Sequence, residues 1–330
     1  MEGFNQSSID HNVTANWVNS NHSKFTMNCL YVDFSRSAID KFYITYILSI
    51  VLNSVCALPA SILNILVILA VWRKSQLHNP SNLLLSNLAL NDFGVGCLVQ
   101  PVFAAHKIAA LHENIPVHCI ASLASKTLAS LLCAVSLLTL TAISIDRLLA
   151  LALSVRYRIV VTIPITTRVV VLLWLVGILV TIPLFVYPMS FLYCMILVMV
   201  ICLTVTIIAY TKLLHLIHRH KTKVGVDTRQ TTRQQSQDTA EMANIAKYKT
   251  SIRTVIYLVI IMVLFYSPYL VTNIVLVAVE SRNDDRFKAA FNITHSILFM
   301  NSIVNPAFYC WKIKSIRNAV IEMLPERFQE

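Results

Sequence analysis

Residues 117–151 read VHCIASLASKTLASLLCAVSLLTLTAISIDRLLAL. A helix needs about 20 apolar residues to cross the ~30 Å hydrocarbon core of a bilayer, and this run supplies them. It ends on an acid followed at once by a base, Asp146-Arg147, where it meets a basic segment. A charge near the bilayer centre costs several kcal/mol or more and marks function. Working outward, six further apolar stretches define expected spans at Phe42–Trp72, Pro80–His106, Thr166–Phe185, Met189–His218, Lys249–Glu280 and Phe287–Trp311. Asp92 and Asp146 are almost the only acids inside them.

Composition agrees. Hydrophobic residues make up 56% of the chain and charged residues 13%, about half the charged share of soluble domains. The expected fold is an all-α membrane protein: a tail over 1–41, a seven-helix bundle over 42–311, and an amphipathic segment over 312–330. The tail is polar, with no run apolar enough for a signal peptide. It carries three acceptor sequons, at Asn5, Asn12 and Asn21, which point to a glycosylated, extracellular N-terminus. A fourth, Asn292-Ile293-Thr294, lies in an apolar stretch and is expected to stay unmodified. The net charge is +11. With the N-terminus outside, the whole excess falls on the inner side, as the positive-inside rule requires. The charge therefore reads as topology, with membrane lipid as the surrounding partner, and not as nucleic-acid binding.

The longest connection, about Arg219–Tyr248, is rich in Gln, Thr and Arg and reads as a mobile inner loop. The link between the fourth and fifth spans shrinks to about Val186-Tyr187-Pro188. After the seventh span, Ile313, Ile316, Val320 and Leu324 recur at helical spacing beside Lys314 and Arg317, the pattern of a short helix on a membrane surface.

Short motifs fall one per span, in order. They are Leu63-Asn64-Ile65-Leu66-Val67, Asn87-Leu88-Ala89-Leu90-Asn91-Asp92, Ser144-Ile145-Asp146-Arg147-Leu148, Trp174, Tyr210, Phe265-Tyr266-Ser267-Pro268 and Asn305-Pro306-Ala307-Phe308-Tyr309. Ser154-Val155-Arg156-Tyr157 follows the third. Pro268 and Pro306 each remove a backbone donor inside a helix and permit a kink. The freed carbonyls need partners, which nearby Asn side chains or water can supply. Asn64, Asp92, Asn301 and Asn305 can form a polar cluster. Ser136 lies eleven residues before Arg147, about three turns, so it can face the same interior side.

With this order of motifs the chain resembles the rhodopsin-like (class A) G-protein-coupled receptors over about 42–324. The resemblance implies a cell-surface receptor at the plasma membrane that couples an extracellular ligand to a heterotrimeric G protein, with arrestin as a second partner. Activation would run through Asp146, Arg147, Tyr210, Pro268, Asn305, Pro306 and Tyr309. Arg147 would pair with Asp146 at rest, and Tyr210 and Tyr309 would approach it in the active state. Asp92, Ser136, Asn301 and Asn305 correspond to a sodium site that favours the inactive state. Their bland alternative is a hydrated structural network. No other cofactor is implied. The tail after Ser315 offers no Ser or Thr, so arrestin phosphosites fall in the loop at Thr222, Thr228, Thr231, Thr232, Ser236 and Thr239. Many relatives restrain the arginine with a helix-six glutamate. That position here is Tyr248, which predicts measurable ligand-free signalling.

The chain also departs from the pattern. Leu148 replaces the usual Tyr, Ser154 the usual Pro, and Tyr266 the usual Trp. The second outer loop is too short for the usual disulfide to Cys119. A Cys29–Cys119 bridge would tie the tail over the bundle mouth in an oxidising compartment. Free thiols or a pairing with Cys194 are the alternatives. The short loop and missing helix-five proline resemble the melanocortin-like branch. Asn305–Tyr309 with Cys310-Trp311-Lys312 resembles a group of invertebrate orphan receptors. Asn273 resembles the helix-six asparagine of adenosine receptors.

The implied pocket residues are Lys126, Ser130, Cys133 and Cys194, with Tyr266, Tyr269, Asn273 and His295. Ala129 stands where amine receptors place an aspartate, and Phe299 where opsins carry the retinal lysine. Both substitutions argue against those ligands. Lys126 would suit an anion, or it would reach for water and headgroups. A transporter using Asp92 is the alternative class, but no internal repeat relates the halves. An enzyme is not expected, since no H-E-x-x-H, G-x-S-x-G or phosphate-binding Gly-rich loop is present.

Overall fold

A computed structural model describes residues 26–29, 32–153, 156–227, 257, 259–279 and 285–323, with backbone only at 26–33, 188 and 217–227. Two short strands, β1 (Thr26–Cys29) and β2 (Val32–Ser35), pair antiparallel with Cys29 opposite Val32. Ser35 then caps α1 (Arg36–Lys41), its hydroxyl accepting from the Ala38 amide at 3.2 Å. Part of the polar tail is therefore folded.

The spans follow. α2 covers Tyr43–Arg73. The second span runs α3 (Pro80–Gly94), a π turn at Val95–Val99, and α4 (Gln100–Leu111). α5 covers Ile115–Leu153, and a single turn, α6 (Tyr157–Val160), leads into α7 (Ile163–Thr181). α8 (Pro183–Val186) and α9 (Pro188–Asp227) come next, with Tyr187 alone between them. The link expected to be very short is one residue long. α10 covers Val259–Val279. α11 (Asp285–Lys312) precedes α12 (Lys314–Ile321).

Among the described residues, six helices are long and apolar enough to cross a membrane. The seventh span, α11, has the length, but its polar residues lower its apolarity. Those residues face inward: Asn292, Ser296, Asn301, Ser302 and Asn305 are all buried. Intramembrane polar groups need such partners, because lipid offers none.

α2 and α11 pack side by side and are joined by polar contacts along the seam. Ser49 donates to the Asn292 carbonyl at 3.3 Å, and Asn53 Nδ2 donates to Ser296 Oγ at 2.9 Å. Asn64 Nδ2 donates at 2.8 Å to the carbonyls of both Ala60 and Ser302. Ser302 is four residues before Pro306, so its carbonyl is the one the proline leaves without a helical donor. A side chain from α2 fills that gap.

Gly96, in the π turn, lies against α2. A β-carbon there would come within 2.9 Å of the Ser61 backbone nitrogen, so only hydrogen fits. α12 buries Ile316, Ala319 and Val320 against the bundle, and Lys74 of the α2 end pairs with Glu322. The expected surface helix thus packs on protein as well. Leu324 lies outside the described residues.

Candidate functional site

At the end of the bundle remote from the hairpin, the Asp146 carboxylate gathers three donors. Arg147 Nη2 lies 2.8 Å from Oδ2. Ser81, in the first turn of α3, donates to Oδ2 at 2.8 Å, and Tyr157 of α6 donates to Oδ1 at 2.6 Å. The two hydroxyls are 3.2 Å apart. Asp146 is 5% exposed and Arg147 24% exposed on their side chains, so the acid is inside and the base at the rim. Burial and the Asp146 carboxylate push the Tyr157 phenol up to about 12; it remains a donor at neutral pH. The Asp146–Arg147 pair was expected from the sequence. Ser81 and Tyr157 as its partners were not, because they lie on other elements. Ser154 and Tyr248 lie outside the described residues.

Midway along the bundle, Asp92 is 1% exposed and accepts from Asn305 Nδ2 at 2.8 Å. In the same interior, Ser136 Oγ, Asn301 Oδ1, Asn305 Oδ1 and the Tyr309 hydroxyl are fully buried. Asn87 links three spans beside this cluster: it donates to Thr139 at 2.8 Å and accepts from Trp174 Nε1 at 3.0 Å. Of the expected cluster, Asp92 and Asn305 are thus joined directly, with Tyr309 fully buried and Tyr210 half-buried on α9.

Nearer the hairpin a cavity of about 520 Å³ opens between α5, α9, α10 and α11. Six of the eight expected residues line it: Lys126, Ser130, Cys133, Tyr269, Asn273 and His295. Two do not. Cys194 turns away, because Phe191, Leu192 and Met195 form the inward face of α9 at helical spacing. Tyr266 sits one turn below Tyr269 and is 3% exposed. Its hydroxyl donates to the Cys133 carbonyl at 3.4 Å, so it lies beneath the cavity and not on its wall.

The sequence reading missed His106, Lys107 and His118, which line the same cavity. Lys107 is 8% exposed, donates to Asn292 Oδ1, and lies 4.9 Å from the Tyr46 ring and 5.2 Å from Phe103. Asn292 is 3% exposed, which puts the fourth sequon out of reach of glycosylation. Asn5, Asn12 and Asn21 lie outside the described residues.

The hairpin and α1 reach across the mouth. Phe34 packs edge-on against His118 with ring centroids 5.7 Å apart. Ser35 and Ser37 donate to the two carboxylate oxygens of Asp285 on α11, at 3.1 and 3.0 Å. Arg36 pairs with Glu113 ahead of α5. Cys119 is disulfide-bonded. Cys194 is free, as are Cys56, Cys97, Cys133, Cys202 and Cys310. This excludes the Cys194 pairing; the Cys29 side chain lies outside the described residues. Cys97 is exposed.

The profile of the 7 transmembrane receptors of the rhodopsin family matches residues 63–309. The chain belongs to this family, and with its apolar helices it is a multi-pass membrane protein. The 5-hydroxytryptamine receptor 1B of Canis lupus familiaris is 28% identical over 137 residues, 42% of this chain and 34% of the relative. The alpha-2A adrenergic receptor of Danio rerio is 32% identical over 120 residues, 36% of this chain and 30% of the relative. Prokineticin receptor 2 of Bos taurus is 32% identical over 130 residues, 38% of this chain and 32% of the relative. The chain thus spans about a third of the length of the relatives it matches. The transporter alternative is not supported: the family is one of receptors, and Asp92 is bonded to Asn305 inside a packed core.

Proposed function

We propose that the chain is a plasma-membrane receptor, N-terminus outside, that turns binding of an external ligand into activation of a heterotrimeric G protein. The observation that carries this is the pairing of a cavity at one end with a restrained arginine at the other. Asp146–Arg147 occupies a rim where a cytosolic partner can reach it. The Asp92–Asn305 and Asn64–Ser302 bonds lie between the two, on α11 beside its Pro306 break. Such a protein does no chemistry; it shifts a conformational equilibrium by binding one state better. The test is a panel of G-protein biosensors in cells expressing the chain, first without ligand and then with small-molecule and peptide libraries. At least one G-protein subtype should respond above mock-transfected cells. Silence of every subtype in both arms would reject the proposal.

The same reading places arrestin on the phosphorylated inner loop, which lies outside the described residues. It places a Cys29–Cys119 bridge between tail and α5, since the other six cysteines are free. A monoamine ligand is not proposed. Ala129 lines the cavity where a carboxylate would be needed, and no Asp or Glu lines it among the described residues.

A sodium ion fits the cluster around Asp92. Asn305 leaves its buried Oδ1 without a hydrogen-bond partner beside the Asp92 carboxylate, and the Ser136 and Asn301 oxygens are buried in the same interior; oxygen donors suit hard cations. When bound, the ion would supply positive charge to these four residues and favour the resting arrangement. In membranes, replacing sodium by N-methylglucamine should raise basal nucleotide exchange of the parent and leave Asp92→Asn unaffected. Equal responses in the two would make the cluster purely structural.

A further inference from the structure

We propose that the cavity binds an amphiphilic organic anion, with its acid group held by Lys107 and Asn292 and its apolar body on α5, α9 and α11. This rests on the cavity being the ligand site of a receptor. Lys107 is nearly enclosed, and the partners around its ammonium are neutral: the Asn292 amide oxygen and the faces of Tyr46 and Phe103. Aromatic faces and one amide attract a cation but do not neutralise it. A buried cation without an opposite charge is a costly arrangement unless a partner arrives.

The remaining charges point the same way. Lys126 lines the cavity, and no Asp or Glu does so among the described residues. A third lysine on the wall, Lys288, has its ammonium 3.9 Å from Asp285. Asp285 in turn accepts from Ser35 and Ser37 at the mouth and is committed outward. A second observation marks the spot beside Lys107. The Asn292 Nδ2 group is buried with no hydrogen-bond partner. The Lys107 ammonium and the Asn292 amide, with the Tyr46 hydroxyl beside them, form a corner that offers hydrogens and asks for an acceptor. The opposite wall is apolar, with Cys133, Leu192, Met195 and Leu298. A cavity of about 520 Å³ matches drug-sized molecules, and a few polar groups in an apolar pocket fix orientation.

Chain-matched naphthyl probes test this on the purified full chain in phosphatidylcholine nanodiscs, by thermal unfolding with no G protein present. The acids are 1-naphthylacetate and 1-naphthyl phosphate, which separate carboxylate from phosphate recognition. The controls are 1-naphthylmethylamine and 1-naphthaleneethanol. At least one acid should raise Tm saturably, and the amine and alcohol should not. Lys107→Met should weaken that acid about tenfold or more, the usual scale for truncating one side of a buried charge pair. Lys107→Arg, which keeps the charge, should retain binding and control for folding. Lys212→Gln, an exposed lysine of α9 away from the cavity lining, should stay within about twofold. The proposal is overturned if the amine or alcohol stabilises as well as the acids, if Lys107→Met responds like the parent, or if neither acid binds. Binding is read without signalling, so it does not depend on G-protein coupling. A silent G-protein panel would leave this result untouched.

Discussion

Cells expressing Arg147→Ala should show no G-protein activation above mock, while the receptor still reaches the surface with its glycans. Arg147 is partly exposed at the end of α5, so its removal opens no core cavity, and alanine is the best helix former. Asp146 would keep the Ser81 and Tyr157 hydroxyls, so no buried carboxylate is stranded. What disappears is a permanently charged planar head able to reach a partner's backbone. The loss should be at least about tenfold, equivalent to ~1.4 kcal/mol or more of coupling. Surface labelling, glycosidase sensitivity and biosensor output in the same cells provide the check. Signalling at parental strength from a well-expressed variant would remove the basis of the receptor reading.

The opposite change is expected of Asp146→Asn. Asparagine keeps an acceptor oxygen for one of the two hydroxyls and turns its NH2 to the other, whose oxygen can accept, so the local fold survives, but the attraction to Arg147 is lost. An ion pair open to solvent on one side is worth about 1 kcal/mol, so ligand-free output should rise roughly fivefold. The measurement is basal biosensor signal against surface density over a range of expression. A flat or lowered basal signal would show that Asp146 does not restrain the arginine. The expected contribution of Tyr248 concerns a residue outside the described ones.

Much of this architecture is legible in the sequence, because a bilayer imposes long apolar helices and leaves few alternatives. Six spans stand out by length and apolarity alone. α11 is less apolar and is betrayed by its Asn305-Pro306 motif instead. The hairpin at Thr26–Ser35 escapes because short strands in a polar tail carry no strong period. Its anchor is tertiary: Phe34 against His118 and two serines on Asp285. The cavity was half legible. Lys126 is legible, whereas Lys107 lies one residue past the expected end of the second span at His106. The span in fact runs to Leu111 through a π turn at Val95–Val99. That turn shifts the helical register and so changes which side chains face inward. Ser81 and Tyr157 converge on Asp146 from positions 65 and 11 residues away, a meeting that no local pattern encodes.

The Asn64–Ser302 bond also bears on how the chain is made. Ribosomes deliver α2 first and α11 last among the spans, yet these two share a seam and close the bundle into a ring. Until α11 arrives, Asn64 can rest on its own Ala60 carbonyl. Its second amide hydrogen then waits in the bilayer for a partner 238 residues downstream. The carbonyl abandoned at the proline of α11 is that partner. Assembly therefore finishes only when the last helix docks against the first, and a chain truncated before Ser302 is left with an open ring and an idle donor in lipid.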